Sequence, residues 1–186
     1  MKFTFALLAA FIASAVGAPA GFKRQDTCPL QNFSGLTVTA SADGKGKTRW
    51  NVFVAPRGLV QSGDLGWFVS GQPGKNEKFN AVQVQGSQPN LFTFKANGGS
   101  QNVAVVGSKL LASAAATPAT FQVRCFGCNS FAKGNDLVAN GCAIELTDGT
   151  NGTGQCVSFE GQFTGVQLQQ CDGNNSGQFF GLFNVA

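Results

Sequence analysis

Apolar residues in this chain recur in short runs, several of them alternating with polar residues, and Gly, Asn and Pro separate the runs. In one run, Trp50, Val52 and Val54 fall on the same face of an extended chain, as in a strand buried on one side. The pattern predicts twelve short β-strands, near Leu36–Ala40, Arg49–Ala55, Gly66–Val69, Ala81–Gln85, Leu91–Lys95, Val103–Val106, Lys109–Ala112, Thr120–Cys125, Cys142–Thr147, Cys156–Phe159, Val166–Gln170 and Gln178–Phe183.

The composition also favours an all-β fold. The chain holds 25 Gly and 18 Phe among 186 residues, and only 12% of its residues are charged. That composition suits a turn-rich β protein better than a helical bundle. Only residues 110–116 have helical composition, and the Thr-Pro pair that follows ends that stretch. Twelve short strands without an intervening linker predict one barrel-like or sandwich domain.

Residues 1–20, MKFTFALLAAFIASAVGAPA, have the pattern of a secretory signal peptide. A basic residue stands near the start, an uncharged apolar stretch follows, and the segment ends in small residues. The apolar stretch is shorter than the ~20 residues that cross a bilayer, so we predict no membrane span. We therefore expect the protein to be secreted and extracellular.

A dibasic pair, Lys23-Arg24, follows the leader and resembles the site that kexin-type proteases cut in the secretory route of fungi. Residues 21–24 are therefore predicted to be a short propeptide, and residues 25–186 a single all-β domain that begins at Gln25. Removing the three basic residues of the leader and propeptide leaves ten basic residues against nine acidic ones. We do not expect nucleic-acid binding, because the basic residues form no dense patch.

Six cysteines, all within the predicted domain, suggest three disulfides in a secreted protein. Cys125 and Cys128 form a C-x-x-C motif. A zinc site would need a further close Cys pair or His, and a thioredoxin-like site would need a βαβ context. We therefore predict structural disulfides, with no metal and no cofactor. Three N-glycosylation sequons predict surface loops of a glycoprotein, at Asn32, Asn151 and Asn174.

The chain contains no His, which excludes Ser–His and Cys–His catalysis and most zinc enzymes. A pair of carboxylates, as in glycosidases, is the catalytic device that remains. The candidates lie in the acidic C-terminal third, at Glu145, Asp148, Glu160 and Asp172. Because nothing in their spacing singles out a pair, a small glycosidase is the least favoured interpretation, and we assign no catalytic residue.

The C-terminal quarter of the chain divides into four strand-sized units. Cys156 lies in the second unit, a V-x-L-x-x-C sequence ending at Cys171 forms the third, and Gln178-Phe179-Phe180 lies in the fourth. This pattern resembles one repeat of the ricin-B-type β-trefoil lectins, whose repeats close with Q-x-W. Residues 90–94 and 119–123 resemble closing strands of other repeats more weakly. The resemblance implies a β-trefoil-like barrel, and a β-sandwich is the alternative.

The resemblance also implies a disulfide between Cys156 and Cys171, because the matching cysteines of the lectin repeats pair across the second and third strands. Closing a loop of this length contributes ~3 kcal/mol in the chain-entropy model. For the remaining cysteines we expect the pairs Cys128–Cys142 and Cys28–Cys125.

The sugar site of the lectin family is only partly kept. Ser158 stands where the family has an acid, Gln169 where it has a stacking aromatic residue, and Gly177 where it has an Asn. The carbohydrate-binding candidates are the polar residues of this region, Gln167, Asp172, Asn174 and Gln178. Trp50 and Trp67 are candidate stacking surfaces, although core packing is the favoured interpretation for both.

These observations predict a secreted, non-catalytic binding module whose partner is an extracellular polysaccharide, a cell-wall polymer or a glycoprotein. The alternative is a secreted protein-interaction module, such as a protease inhibitor or an effector, because trefoil loops also serve those roles. Exposed aromatic side chains beside an amide-lined groove would favour the glycan interpretation. A protruding ordered loop would favour the inhibitor.

Overall fold

The computed structural model describes residues 28, 30–41, 47–53, 61–69, 78–85, 89–129 and 136–184. The predicted signal peptide, the propeptide and the expected first residue of the mature chain, Gln25, lie outside the described residues. The described residues form an all-β fold of thirteen strands with two single-turn 3₁₀ helices.

The strands are β1 (Phe33–Thr39), β2 (Thr48–Val52), β3 (Leu65–Val69), β4 (Phe79–Gln83), β5 (Leu91–Ala96), β6 (Gln101–Val106), β7 (Lys109–Ser113), β8 (Thr120–Arg124), β9 (Gly127–Cys128), β10 (Leu137–Thr147), β11 (Gly152–Ser158), β12 (Gln167–Gln170) and β13 (Phe180–Asn184). The 3₁₀ helices are Asn97–Gly99 and Ser176–Gln178. All twelve predicted strands overlap an observed strand. Residues 110–116, despite their helical composition, form most of β7 and the bend after it. The extra strand, β9, has two residues, too few to produce a periodic pattern.

The strands pair antiparallel and close into a barrel of nine strands, in the order β1-β4-β5-β6-β7-β12-β11-β10-β13 and back to β1. β8 pairs with β5 on one side and β10 on the other. It thereby completes a smaller ring of six strands, β1-β4-β5-β8-β10-β13. Three hairpins, β2–β3, β6–β7 and β11–β12, connect strands of that ring.

The same arrangement occurs three times along the chain. The units β1–β4, β5–β8 and β10–β13 each begin and end with a strand of the six-strand ring and carry a hairpin between. Residues 90–94 and 119–123 are therefore not two closing strands, since they fall in β5 and β8, the first and last strands of one unit. The three hairpins contact one another through the pairs Asp64–Leu111, Gly66–Gly165 and Lys109–Gln167.

An aromatic cluster fills the core beside the first hairpin. Trp50 and Trp67 lie opposite each other on β2 and β3, with ring centroids 6.1 Å apart, and both are fully buried. Trp50 meets Phe79 and Phe94 edge-on, and Trp67 stacks on Phe180. Both Trp side chains are therefore core residues, which is the interpretation that the sequence favours, and neither exposes a ring face as a stacking surface.

All six cysteines are disulfide-bonded. The Cys156–Cys171 bond is the pair that the lectin resemblance implies. The expected pairs Cys128–Cys142 and Cys28–Cys125 are wrong, since the structure instead has Cys28–Cys128 and Cys125–Cys142.

Strand pairing explains the corrected connectivity. β8 lies antiparallel to β10 with Arg124 opposite Ala143, so that the adjoining residues Cys125 and Cys142 face each other. β9 then pairs back along β10 and leaves Cys128 to bond the cysteine of the N-terminal segment. The spacing of the cysteines in the sequence does not predict the Cys28–Cys128 bond, because β9 has only two residues and produces no recognisable pattern.

Candidate functional site

The third hairpin, β11–β12, presents a polar face. Its register pairs Val157 with Leu168, and both side chains are buried in the core. Because successive side chains of a strand point to opposite faces, the residues on either side of this pair lie on the other face. Four polar residues on or beside that face are here called the hairpin cluster: Ser158, Glu160, Gln167 and Gln169.

A chain of hydrogen bonds orders three members of the hairpin cluster. The buried Ser158 hydroxyl donates to Gln169 Oε1 over 3.1 Å, and Gln169 Nε2 donates to Glu160 Oε1. The Gln169 and Glu160 side chains are exposed. A carboxylate accepts several hydrogen bonds and a primary amide has two N–H groups, so both retain capacity for a bound hydroxyl.

Gln167 occupies the edge of the cluster nearest the second hairpin. It lies opposite Ser158 on β11 and opposite the exposed Lys109 on β7, and its side chain is half-buried. Of the four residues that the sequence singles out for carbohydrate binding, it is the one that shares the face of Ser158 and Gln169.

The loop of residues 172–178 runs beside the cluster. Its Gly177 carbonyl accepts a hydrogen bond of 2.9 Å from the backbone N–H of Phe159, the residue between Ser158 and Glu160 in the chain. Asp172 and Asn174 are exposed in the turn that opens the loop, where Asp172 Oδ1 accepts from the Asn174 N–H over 2.9 Å.

Gln178 holds this loop to the hairpin from inside. Its side chain is fully buried. Its Oε1 accepts from the Asp172 N–H over 2.8 Å, and its Nε2 donates to the Gln170 carbonyl over 2.9 Å. Both ends of the amide are thus engaged with backbone, and Gln178 stabilises the loop rather than facing a ligand. Such a brace satisfies backbone groups that would otherwise lack a partner.

The four carboxylates considered as catalytic candidates each have a partner within the fold. Glu145 is buried, forms an ion pair with Arg124 and accepts from the Gly154 N–H over 3.0 Å. Asp148 Oδ1 accepts from the N–H groups of Asn151 and Thr150 in the turn between β10 and β11, and these backbone hydrogen bonds lower the pKa of Asp148 below its ordinary value.

Glu160 and Asp172 take part in the cluster and the loop described above. Each of the four carboxylates is therefore held by its own partner in the fold. Among the described residues, no hydrogen bond joins two of these carboxylates.

The remaining sequence motifs lie at the surface or in the disulfide framework. Asn32, Asn151 and Asn174 have exposed side chains, as glycosylation acceptors must. The two cysteines of the C-x-x-C motif belong to different disulfides. Within the described ranges, no group of three or more Cys, Asp or Glu is placed to hold a metal ion.

A small apolar cavity between β1, β4, β5 and the N-terminal segment is no larger than about one water molecule. Leu30, Phe33 and Phe92 are among its lining residues, and no polar side chain lines it. This cavity offers no polar group to recognise a ligand. The third hairpin is the candidate site because it presents an exposed, hydrogen-bonded set of polar side chains.

Sequence reasoning named Gln167 but missed Gln169 and Ser158 as site residues and took Glu160 only as a catalytic candidate. The signal was present, because a disulfide from Cys156 to Cys171 sets two antiparallel strands side by side. That pairing places position 158 near position 169. Both positions depart from the lectin pattern, and in the structure their side chains bond each other.

For the part of the chain that the structure describes, there is no helix of the length and apolar character needed to cross a membrane. The three disulfides are compatible with an extracellular protein. Comparison with known proteins finds no protein-family model and no curated protein that matches this chain.

Proposed function

We propose that this chain is a secreted, non-catalytic binding module that holds neutral polysaccharides, such as cell-wall polymers, on the hairpin cluster. The observation that carries the proposal is the ordered contact of an exposed amide, Gln169, with an exposed carboxylate, Glu160. The buried Ser158 hydroxyl orients that amide by donating a hydrogen bond to its oxygen.

The chemistry of the cluster suits sugar hydroxyls. A hydroxyl that donates to the Glu160 carboxylate makes a charge-assisted hydrogen bond, worth ~1.5–3 kcal/mol, against ~0.5–1.5 kcal/mol for a neutral one. The hydroxyl's own oxygen accepts from the second N–H of Gln169. Because the Gln169–Glu160 contact already exists without a ligand, less side-chain freedom is lost on binding.

The expected affinity for a single sugar is low. One charge-assisted and one or two neutral hydrogen bonds reach about the 4 kcal/mol that a millimolar dissociation constant requires. Retention on a polymer then depends on several contacts acting together along one chain. A polymer is therefore a better ligand for this surface than a monosaccharide.

We also infer a β-trefoil architecture. The six-strand ring, the three hairpins and the contacts among those hairpins support it, because a trefoil combines a six-strand barrel with three hairpins around a threefold axis. The Cys156–Cys171 bond supports the likeness of the third unit to a ricin-B-type repeat. In such repeats the sugar lies on the third strand beside the closing loop, which is where the cluster is found here.

The proposal includes secretion and glycosylation. The leader pattern and the three disulfides support export, and the exposed Asn32, Asn151 and Asn174 support glycan attachment. A glycan on Asn174 would be attached to the loop that runs beside the cluster, so binding tests need both glycosylated protein and an Asn174→Gln variant.

The test is retention on insoluble chitin, β-glucan and galactan. We expect the native protein to be retained on at least one polymer, and a Glu160→Gln/Gln169→Ala double variant to bind at least about tenfold more weakly. The matched control is Gln170→Ala, because Gln170 is an exposed neighbour on the same strand whose side chain points to the other face.

Equal retention of the double variant and the native protein would place the binding surface elsewhere. Failure of the native protein to bind any of the three polymers would overturn the glycan proposal and favour a protein-interaction module.

A further inference from the structure

We propose that Trp67, a core residue of the first hairpin, is a positioning residue of the hairpin cluster. Its indole N–H holds the carbonyl of Ser158, and the hydroxyl of the same serine orients Gln169. The positioning is a property of the free protein, whereas its effect on polysaccharide binding rests on the proposed function.

The Trp67 indole reaches the third hairpin at the last residue of β11. Its Nε1–H donates to the Ser158 carbonyl over 3.3 Å, across 91 positions of the chain, and both side chains are buried. A buried indole N–H generally finds an acceptor, and a hydrogen bond shielded from water is electrostatically stronger than an exposed one. The bond therefore fixes the backbone of the residue whose hydroxyl orients the cluster.

The backbone of Trp67 holds the far end of the same segment. Its N–H donates to the Thr164 carbonyl over 3.0 Å, and its carbonyl accepts from the Phe163 N–H over 2.7 Å. Residues 158–164 lead from β11 toward β12 and carry Glu160, so this segment is attached to Trp67 at both ends. A segment fixed at both ends has fewer conformations available, which restricts where the Glu160 carboxylate can lie.

Ring contacts keep the indole in this place. Trp67 stacks on Phe180, with ring centroids 5.3 Å apart, and meets Phe159 edge-on at 5.2 Å. Phe159 is the residue between Ser158 and Glu160 in the chain. Moving the indole away from the Ser158 carbonyl would therefore break both ring contacts as well as the hydrogen bond.

Trp50 matches Trp67 in size and burial but lacks this bond. The two residues face each other across β2 and β3, and both are fully buried. Trp50 contacts Phe79 and Phe94 edge-on, and among the described residues its Nε1–H has no hydrogen-bond acceptor. Trp50→Phe is thus a matched control for Trp67→Phe, because both variants lose ring volume on one hairpin and only the second loses a hydrogen bond to the cluster.

The bond should matter for binding although Trp67 touches no ligand. A group that is already in place loses little conformational freedom when a sugar docks. Without the indole bond, Ser158 gains freedom that binding must remove again. We expect Trp67→Phe to weaken retention on the polymer that binds best about two- to tenfold, the range that one neutral hydrogen bond supplies, and Trp50→Phe to leave it unchanged.

The first experiment follows the ¹⁵N-labelled side-chain amide of Gln169 in the free protein, well below the unfolding midpoint. Ser158→Ala gives the reference, because it removes the hydroxyl that orients this amide. We expect Trp67→Phe to displace the Gln169 signals in the same direction as Ser158→Ala, and Trp50→Phe to leave them at their native positions. Unmoved signals in Trp67→Phe, or equal displacement in the two Trp variants, would overturn the positioning role.

The double variant Trp67→Phe/Ser158→Ala tests whether Trp67 acts through Ser158. Residues that act through one another have non-additive effects. We expect the double variant to show the Gln169 signals of Ser158→Ala alone and to be retained about as strongly as that single variant. A further displacement of the signals, or losses of retention that add, would mean that the indole affects Gln169 by another route and would overturn the inference.

The outcomes separate this inference from the proposed function. If no polymer retains the native protein, the proposed function fails, and the Gln169 signals of the free protein still decide the positioning role. If Glu160→Gln/Gln169→Ala weakens retention but Trp67→Phe changes neither the retention nor the Gln169 signals, the positioning role is wrong and the proposed function stands.

Discussion

The first and third hairpins occupy equivalent places in their units but are stabilised by different means. In β2–β3 the facing pair is Trp50 and Trp67, both fully buried. In β11–β12 the facing core pair is Val157 and Leu168, much smaller side chains. The third hairpin adds the Cys156–Cys171 bond.

The difference shows how stability and surface chemistry are divided in this fold. Burial of two large aromatic side chains anchors the first hairpin through its inner face. The third hairpin buries less and relies on a disulfide and on the buried amide of Gln178. Cys156 lies opposite Gln169, so the disulfide and the polar side chains of the cluster share the outer face of this hairpin.

Replacing a Trp of the first hairpin should produce the largest loss of stability. We expect Trp67→Ala to lower the free energy of unfolding by about 3–5 kcal/mol, because it leaves a cavity against Phe180 and Phe159. Trp67→Phe should cost clearly less. Denaturant unfolding measures both, and a loss for Trp67→Ala no larger than that for Val157→Ala would remove the contrast between the hairpins.

Removing the disulfide of the third hairpin should come next. The bond joins residues 15 apart in sequence, and a loop of that size is worth about 3 kcal/mol in the chain-entropy model. We expect a Cys156→Ala/Cys171→Ala variant to lose about that amount in denaturant unfolding. An unchanged midpoint would mean that the hairpin does not depend on its covalent brace.

The Gln178 brace should have a smaller effect than the disulfide. Gln178→Ala leaves the Asp172 N–H and the Gln170 carbonyl without their partner, so we expect a loss of about 2 kcal/mol. Gln170→Ala is the control, because it removes an exposed side chain from the same strand but keeps the carbonyl that Gln178 bonds, so it should change stability by less than about 0.5 kcal/mol. If thermal unfolding finds equal losses for both, Gln178 is not a structural residue.

The turn that leads into the third hairpin should show the smallest effect. Backbone hydrogen bonds from Asn151 and Thr150 lower the pKa of the exposed Asp148 below its ordinary value of 3.8. Its stabilising contribution is therefore fully present above that value and is lost as the pH falls through the lower, folded-state pKa. We expect the stability difference between native protein and Asp148→Ala to shrink with acidification. If the stability difference between the native protein and Asp148→Ala grows as the pH falls, the lowered pKa of Asp148 is contradicted.

The strands were predictable because alternation and turn residues mark them, and every predicted strand is present in the structure. The sequence could not reveal how the strands join. Residues 90–94 and 119–123 look alike as apolar strands, yet they open and close the same unit, since pairing depends on contacts far apart in the chain. The two-residue β9 was not predicted because it is too short to show a pattern, and the Cys28–Cys128 bond that depends on it was not predicted either.

The candidate site was predictable only in part. The lectin-like motif around Cys156 and Cys171 led to the hairpin that carries the cluster, and Gln167 lies on the polar face of that hairpin. Composition could not distinguish the roles of Gln178 and Gln169, because those roles depend on burial. Gln178 is buried and holds the loop, whereas Gln169 is exposed at the surface. Core packing of Trp50 and Trp67, which the sequence favours over exposure, is confirmed.

The most direct test of the account is a titration of ¹⁵N-labelled protein with soluble oligosaccharides of the polymer that retains it, followed by amide chemical shifts. We expect the largest changes at Glu160 and at the backbone and side-chain amides of Gln169. Strands β2 and β3 should stay unperturbed. Changes concentrated in β2 and β3, or no change at millimolar sugar, would contradict the assignment of binding to the third hairpin.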